Sequence, residues 1–274
     1  MSTSLLYVDE IIEREIKDFA TSFLHDYVAD KGKKGSNIIN KKNNIFIAAL
    51  GDEVTVYSAL MRSLDSSLGN RLEKIAKEIA KENYIVKNGV EGYMPEESID
   101  AIAELLDKYH SRSKKPDGSD LETIYRKHGK ELKSSEVSDY YLTLKSDPHQ
   151  KFLIELKIGG DLDNKKAESE KRALLQQYVI LRNSDEIQPE DNVKIFFCTA
   201  YNKYGEDAKW TQERVRQFFS DSEIKVGKDF WNFFCASPDG YEVVKASYLK
   251  HAHYLRDALK AIVEHYASLN QNRS

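Results

Sequence analysis

The chain has 274 residues, enough for a large core in one or two domains, and its 41% hydrophobic and 31% charged content with few Gly and Pro excludes a disordered or fibrous protein. A formal net charge of −4 excludes a surface that is basic throughout, so contact with a polyanion would have to use local clusters of Lys and Arg. Cys198 and Cys235 lie in apolar runs without metal-ligand spacing, and the chain carries neither a leader pattern nor about 18 uninterrupted apolar residues, so a zinc site, a disulfide framework and a membrane span are not expected and the expected location is the cytoplasm.

In chain order, Val8, Ile11, Ile12, Ile16, Phe19, Phe23 and Tyr27 recur at spacings of three and four, which predicts an amphipathic helix for a core or a dimer interface. The Gly-, Lys- and Asn-rich stretch 31–44 reads as a loop, and helical pattern returns near Val54. Gly69-Asn70 reads as a break, after which Leu72, Ile75, Ala76, Ile79 and Ala80 form an apolar stripe with Glu73 near its start. Another helix begins after Pro95 and ends in the polar run 111–120. The periodicity then changes to alternation: 139–145 and 151–158 read as two strands of a hairpin turning near Pro148. Gly159-Gly160 ends the second strand, a helix capped by Asp163 or Asn164 runs to Arg182, and the apolar run 193–199 predicts a central strand. Helical signals follow at 210–219 and 229–234, then one long terminal helix containing Val244, Tyr248, Leu255, Leu259, Ile262 and Tyr266.

The hairpin carries the chemistry. Residues two apart on a strand share a face, so Glu155 and Lys157 point one way while Phe152, Ile154, Leu156 and Ile158 point toward the expected core. With the turn near Pro148, Asp139 falls opposite Lys157 and Tyr141 opposite Glu155. Asp139, Glu155 and the backbone carbonyl of Leu156 are hard oxygen donors suited to Mg2+, and an adjacent lysine can hold an attacking water and stabilise developing negative charge. Phosphodiester hydrolysis is the reaction such a set favours. An acid-x-Lys triplet alone is common here, recurring at Glu15, Glu131, Asp207 and Glu223, and an exposed Asp139–Lys157 ion pair of at most about 1 kcal/mol is the structural alternative.

Asp139 followed by Glu155-Leu156-Lys157, a helix and a strand resembles the PD-(D/E)XK nuclease superfamily, with Ser138 where a proline is usual. The longer run 154–167, with Glu170-Lys171 and Leu174-Leu175, resembles the TdeIII family of type II restriction endonucleases, and the similarity extends to Ser66–Glu73 and, more loosely, to Gly227–Trp231. The resemblance implies an α/β restriction-endonuclease-like fold with a mixed central sheet flanked by helices. It further implies a Mg2+-dependent homodimer that cuts double-stranded DNA at a short palindromic, GGNCC-like site, with a DNA methyltransferase as genetic partner.

The whole chain is expected to form one such domain, with a helical part over about 1–120, a catalytic core over about 121–235 and a helical part over about 236–274. Glu73 is a further candidate metal ligand, although an exposed helix glutamate is the plainer reading; Asp161 and Asp163 either tune the site or start the next helix. Lys165, Lys166, Lys171 and Arg172 on that helix are candidate DNA phosphate contacts, and their alternation with glutamates equally fits a solvated face. Two rival readings are a repair or recombination nuclease with the same core and a noncatalytic helical interaction protein.

Overall fold

The computed structural model describes residues 5–29, 34–126, 131–136, 140–159 and 164–271. The elements run α1 (Leu6–Val28), α2 (Gly35–Lys42), α3 (Ile45–Ala48), α4 (Asp52–Asn83), β1 (Tyr84–Lys87), β2 (Val90–Pro95), α5 (Glu96–His110), α6 (Asp120–Ile124), β3 (Glu131–Glu136), β4 (Tyr140–Leu144), β5 (Gln150–Leu156), α7 (Asn164–Arg182), β6 (Asn192–Thr199), α8 (Glu213–Arg216), β7 (Ile224–Val226), α9 (Lys228–Phe234), α10 (Gly240–His251) and α11 (His253–Gln271). They divide into two compact units, Met1–Ile75 with Glu242–Ser274, and Ala76–Tyr241.

The first unit is helical. All seven apolar residues of the α1 stripe are buried, and α11 covers them: the Tyr266 hydroxyl donates to the Tyr27 carbonyl at 2.8 Å and the Tyr254 hydroxyl to Glu13 at 3.2 Å. The apolar faces of the terminal helices are thus used within the chain. Between α1 and α4, the stretch expected as a loop contains α2, because Ile38 is fully buried and anchors one face of a helix whose remaining residues are largely polar. The helix α4 runs unbroken through Gly69-Asn70, so Glu73 lies within it rather than at a start; an interior Gly costs a helix only about 1 kcal/mol. The expected single terminal helix is two, α10 and α11, separated at Ala252.

The second unit contains a mixed five-stranded sheet in the order β1-β4-β5-β6-β7, with β1, β4 and β5 antiparallel in turn and β5, β6 and β7 parallel. β2 and β3 form a separate two-stranded ribbon. Short strands β1 and β2, not expected from the sequence, flank Asn88-Gly89, where Gly89 adopts a φ of 99°; β1 follows α4 directly, so the helical period runs into it without a break. β5 is central, and both of its faces are buried, not only the face of Phe152 and Ile154. On one side Leu153, Tyr141, Ile195 and Phe197 join a core with Ala167, Leu174, Leu175 and Tyr178 of α7. On the other, Phe152 packs edge-on against Phe233 of α9 at 4.9 Å between centroids and stacks on Phe196 at 5.8 Å. Phe230, Trp231 and Phe234 are core residues of the same side, and Gly227 turns the chain from β7 into α9 at a φ of 52° that side-chain-bearing residues rarely adopt.

The hairpin register differs from the expectation. Tyr141 pairs with Leu153, not with Glu155, because the turn centres on Asp147 rather than Pro148. The Asp147 carboxylate accepts from the backbone N–H of His149 at 3.2 Å and its own N–H reaches the Leu144 carbonyl at 3.3 Å, a local turn that Pro148, having no N–H, follows rather than leads.

Candidate active site

Glu155 is the penultimate residue of β5 and is only 6% exposed. Its place on the strand follows from ladder pairing with Phe197, and its face from the alternation that sends Leu153 into the α7 core. Lys157 lies just past the strand, yet its backbone N–H still donates to the Cys198 carbonyl at 2.9 Å, so the β6 ladder holds it in register. Its ammonium is hydrogen-bonded to the Glu155 carboxylate and lies 3.3 Å from Oε1 of Glu170 on α7. The lysine is one-third exposed, which opens this trio to solvent at the end of the strand.

Glu170 is the residue that the sequence reading passed over. The inner face of α7 explains its position: Lys171 is 1% exposed, donates to Glu223 at 2.6 Å and lies 5.0 Å from the Phe219 ring centroid. Burial pushes the Lys171 ammonium below its ordinary pKa, and the Glu223 carboxylate pushes back. Glu223 is itself fixed, accepting from the Ser220 backbone N–H at 2.8 Å in a capping box. Successive helix residues are about 100° apart, so locking Lys171 inward sends Glu170 to the flank of α7, where it meets Lys157. Lys171 therefore cannot meet a phosphate without breaking a buried ion pair, which corrects its assignment as a DNA contact.

The other expected residues fall as follows. Lys165 and Lys166 are exposed at the start of α7, and Arg172 donates to Glu168 at 3.1 Å. Leu156 closes β5 with its side chain buried. Glu73 belongs to α4 in the helical unit. Asp139, Asp161 and Asp163 lie outside the described residues.

Among the described residues no group of three or more His, Cys, Asp or Glu side chains is poised around one point. Glu155 and Glu170 nonetheless present two hard oxygen donors around one ammonium, and that donor chemistry fits Mg2+, which takes one or two protein carboxylates and keeps several waters.

The family model described as HinfI, type II restriction endonuclease, matches residues 7–251. The chain belongs to the HinfI family of type II restriction endonucleases. Membership implies a DNA nuclease with DNA as its substrate, and the α/β architecture with its flanked five-stranded sheet is consistent with a restriction-endonuclease-like fold. The TdeIII family expected from the sequence is not the one whose model matches; the broader class agrees. No curated protein and no solved structure matches the chain. Among the described residues no helix is long and apolar enough to cross a membrane.

Proposed function

We propose that this HinfI-family protein is a Mg2+-dependent type II restriction endonuclease of the PD-(D/E)XK kind, cutting both strands of duplex DNA at a short palindromic site. The observation that carries the reading is the Lys157 ammonium, held between Glu155 and Glu170 at the end of the central strand. Asp139 is the proposed partner carboxylate: Tyr141 shares its parity and pairs with Leu153, which shares the face of Glu155. Glu155, Asp139 and the Leu156 carbonyl would hold the ion, which when bound lowers the pKa of water and neutralises phosphate charge.

The chain's own residues then have separate tasks. Glu155, desolvated on the strand, keeps the Lys157 ammonium oriented. Lys157, one-third exposed, holds the attacking water by hydrogen bond and places a positive charge beside the phosphate oxygens as negative charge develops. Lys165, Lys166 and Arg172, near the surface of the adjoining helix, are proposed phosphate contacts. A two-fold pair of such sites suits a palindrome, so a homodimer is part of the reading. Exposed Ile39, Ile45, Phe46, Leu50, Tyr57 and Met61 give the helical unit an apolar surface suited to a second copy, a role that α1 and α11 cannot fill with faces already buried. A cognate DNA methyltransferase would protect host DNA, and the cytoplasm is the matching location.

The test is incubation of purified protein with methylation-free plasmid and Mg2+. Discrete bands are expected from the wild type; a requirement for branched or damaged DNA would favour a repair nuclease instead. Lys157→Ala should lose most cleavage while specific binding with Ca2+ survives. Wild-type single-turnover rates from folded Lys157→Ala would remove Lys157 from the chemistry.

A further inference from the structure

The helical unit has a groove of about 580 Å³ between α2 and α4. Its lining includes Lys34, Lys41 and Arg62, three asparagines and three serines, and no carboxylate, although the chain as a whole has a net charge of −4. Lys34 is offset by Asp26 at 3.9 Å, so the local positive charge of the groove rests on Lys41 and Arg62.

Two of its side chains build it. The Lys34 ammonium donates to Ser67 at 2.9 Å and lies 5.0 Å from the Phe23 ring centroid, which ties the entry of α2 to α4 and α1. Asn44 caps α3, accepting from Phe46 and Ile47 backbone N–H groups. The others are unspent: among the described residues Asn37, Asn40, Lys41, Arg62, Ser63 and Ser66 have no intramolecular side-chain partner. Asn37 and Asn40 are one turn apart on α2, both exposed, while Ile38 alone is buried to seat the helix. Arg62 and Ser66 are likewise one turn apart on α4. They occupy a different side of α4 from the exposed Tyr57 and Met61, as the 100° step per residue requires.

This is the chemistry that reads base edges. An asparagine amide offers a donor and an acceptor that match adenine, arginine offers a two-pronged donor that matches guanine, and a serine hydroxyl serves either. An α-helix fits the major groove, and α2, at eight residues, is long enough to present two successive amides to it. We propose that the α2–α4 groove is the sequence-reading surface of this protein, with Asn37, Asn40 and Arg62 contacting base edges and Lys41 a backbone phosphate. The proposal rests on the restriction reading above and adds where specificity resides.

The experiment first maps the wild-type cleavage site by sequencing the ends of cut plasmid. Anisotropy binding in Ca2+ then compares the cognate duplex with single base-pair variants for wild type, Asn40→Ala, Arg62→Ala and Lys41→Ala, each checked for wild-type circular dichroism. Asn40→Ala and Arg62→Ala should each lose roughly 10- to 100-fold in cognate affinity with little change on non-cognate DNA, so that discrimination at one position collapses. Lys41→Ala should weaken both alike and reduce the salt slope by about one. Unchanged discrimination in both Asn40→Ala and Arg62→Ala, or an equal loss on cognate and non-cognate duplexes, overturns the base-reading assignment while leaving the nuclease intact. A wild type that cuts at no discrete site overturns the restriction reading and this inference with it.

Discussion

Glu15 in the helical unit and Glu155 in the sheet unit are both buried, at 2% and 6% exposure, and are neutralised in opposite ways. Glu15 meets three cations, Arg71 at 2.6 Å, Lys74 at 2.9 Å and Arg14 at 3.4 Å. In the trio of the sheet unit, one cation, Lys157, serves two carboxylates. Removing a carboxylate from water costs several kcal/mol, and an excess of cations compensates it in the folded chain itself. Here the Lys157 ammonium is shared between two carboxylates, the reverse of the ratio at Glu15. The first arrangement holds helices together, and the second is the one expected of the proposed catalytic site.

The sharpest way to break this comparison is to remove each charge without changing shape. Glu155→Gln should lower single-turnover cleavage by about a thousandfold, on the scale of losing a metal ligand together with its electrostatic stabilisation, and leave the melting temperature nearly unchanged. Glu15→Gln should do the reverse. Loss of a buried carboxylate with several cationic partners costs about 2 kcal/mol, less than a fully buried pair because Arg14, Arg71 and Lys74 are partly exposed, and the cleavage rate per folded molecule should stay within about twofold. Calorimetry and single-turnover kinetics on the two variants read both quantities, and a Glu155→Gln protein that is fully active but unstable would invert the assignment.

Acid titration separates the two further. Burial alone would raise the pKa of Glu15, but hydrogen bonds and charge from Lys74 and Arg71 outweigh it and the net shift is downward; Asp9 is lowered by its hydrogen bond from Lys250, against burial, with His251 adding to it. Folded-state values below the unfolded ones mean that the unfolded chain takes up protons first. The stabilisation is then complete above the unfolded carboxylate range, about pH 4, and is lost as pH falls through the depressed folded values. Melting temperature against pH should therefore drop less steeply below pH 4 in a Glu15→Gln, Asp9→Asn protein than in wild type.

What could be read in the sequence tracks how local its cause is. The α1 stripe, the α7 helix and the buried β6 strand follow from periodicity, and the contact of Glu155 with Lys157 follows from their two-residue spacing on a strand. The hairpin register departs from the sequence expectation because Asp147, not Pro148, organises the turn, a choice made by one side-chain hydrogen bond. The helix α2 was hidden in a Lys- and Asn-rich segment, since a single buried Ile38 is too little apolar pattern to signal a helix. The boundary of the two units falls at Ile75 inside α4, where the helical period passes through undisturbed and nothing local marks it. Lys171 looked like its neighbours Lys165 and Lys166, and only Glu223, far along the chain, makes it a core residue.

Glu170 is the least legible member of the site and gives the smallest expected effect. On a helix that also carries Glu168, nothing in the sequence separates an acid facing Lys157 from one facing His110, to which Glu168 in fact reaches at 3.2 Å. The difference is the flank on which each lies, and that is set by the inward lock of Lys171 on Glu223. Glu170 is more exposed than Glu155, and its contact with the lysine is longer, so it polarises and orients Lys157 less strongly. Glu170→Gln should accordingly slow single-turnover cleavage by about tenfold, close to 1.4 kcal/mol of transition-state stabilisation, with cognate affinity in Ca2+ and melting temperature unchanged. Glu168→Gln, the same substitution on the opposite flank, should slow it less than twofold. Equal effects of the two variants would mean that α7 contributes only general negative charge, and that the trio at the end of β5 reduces to Glu155 and Lys157.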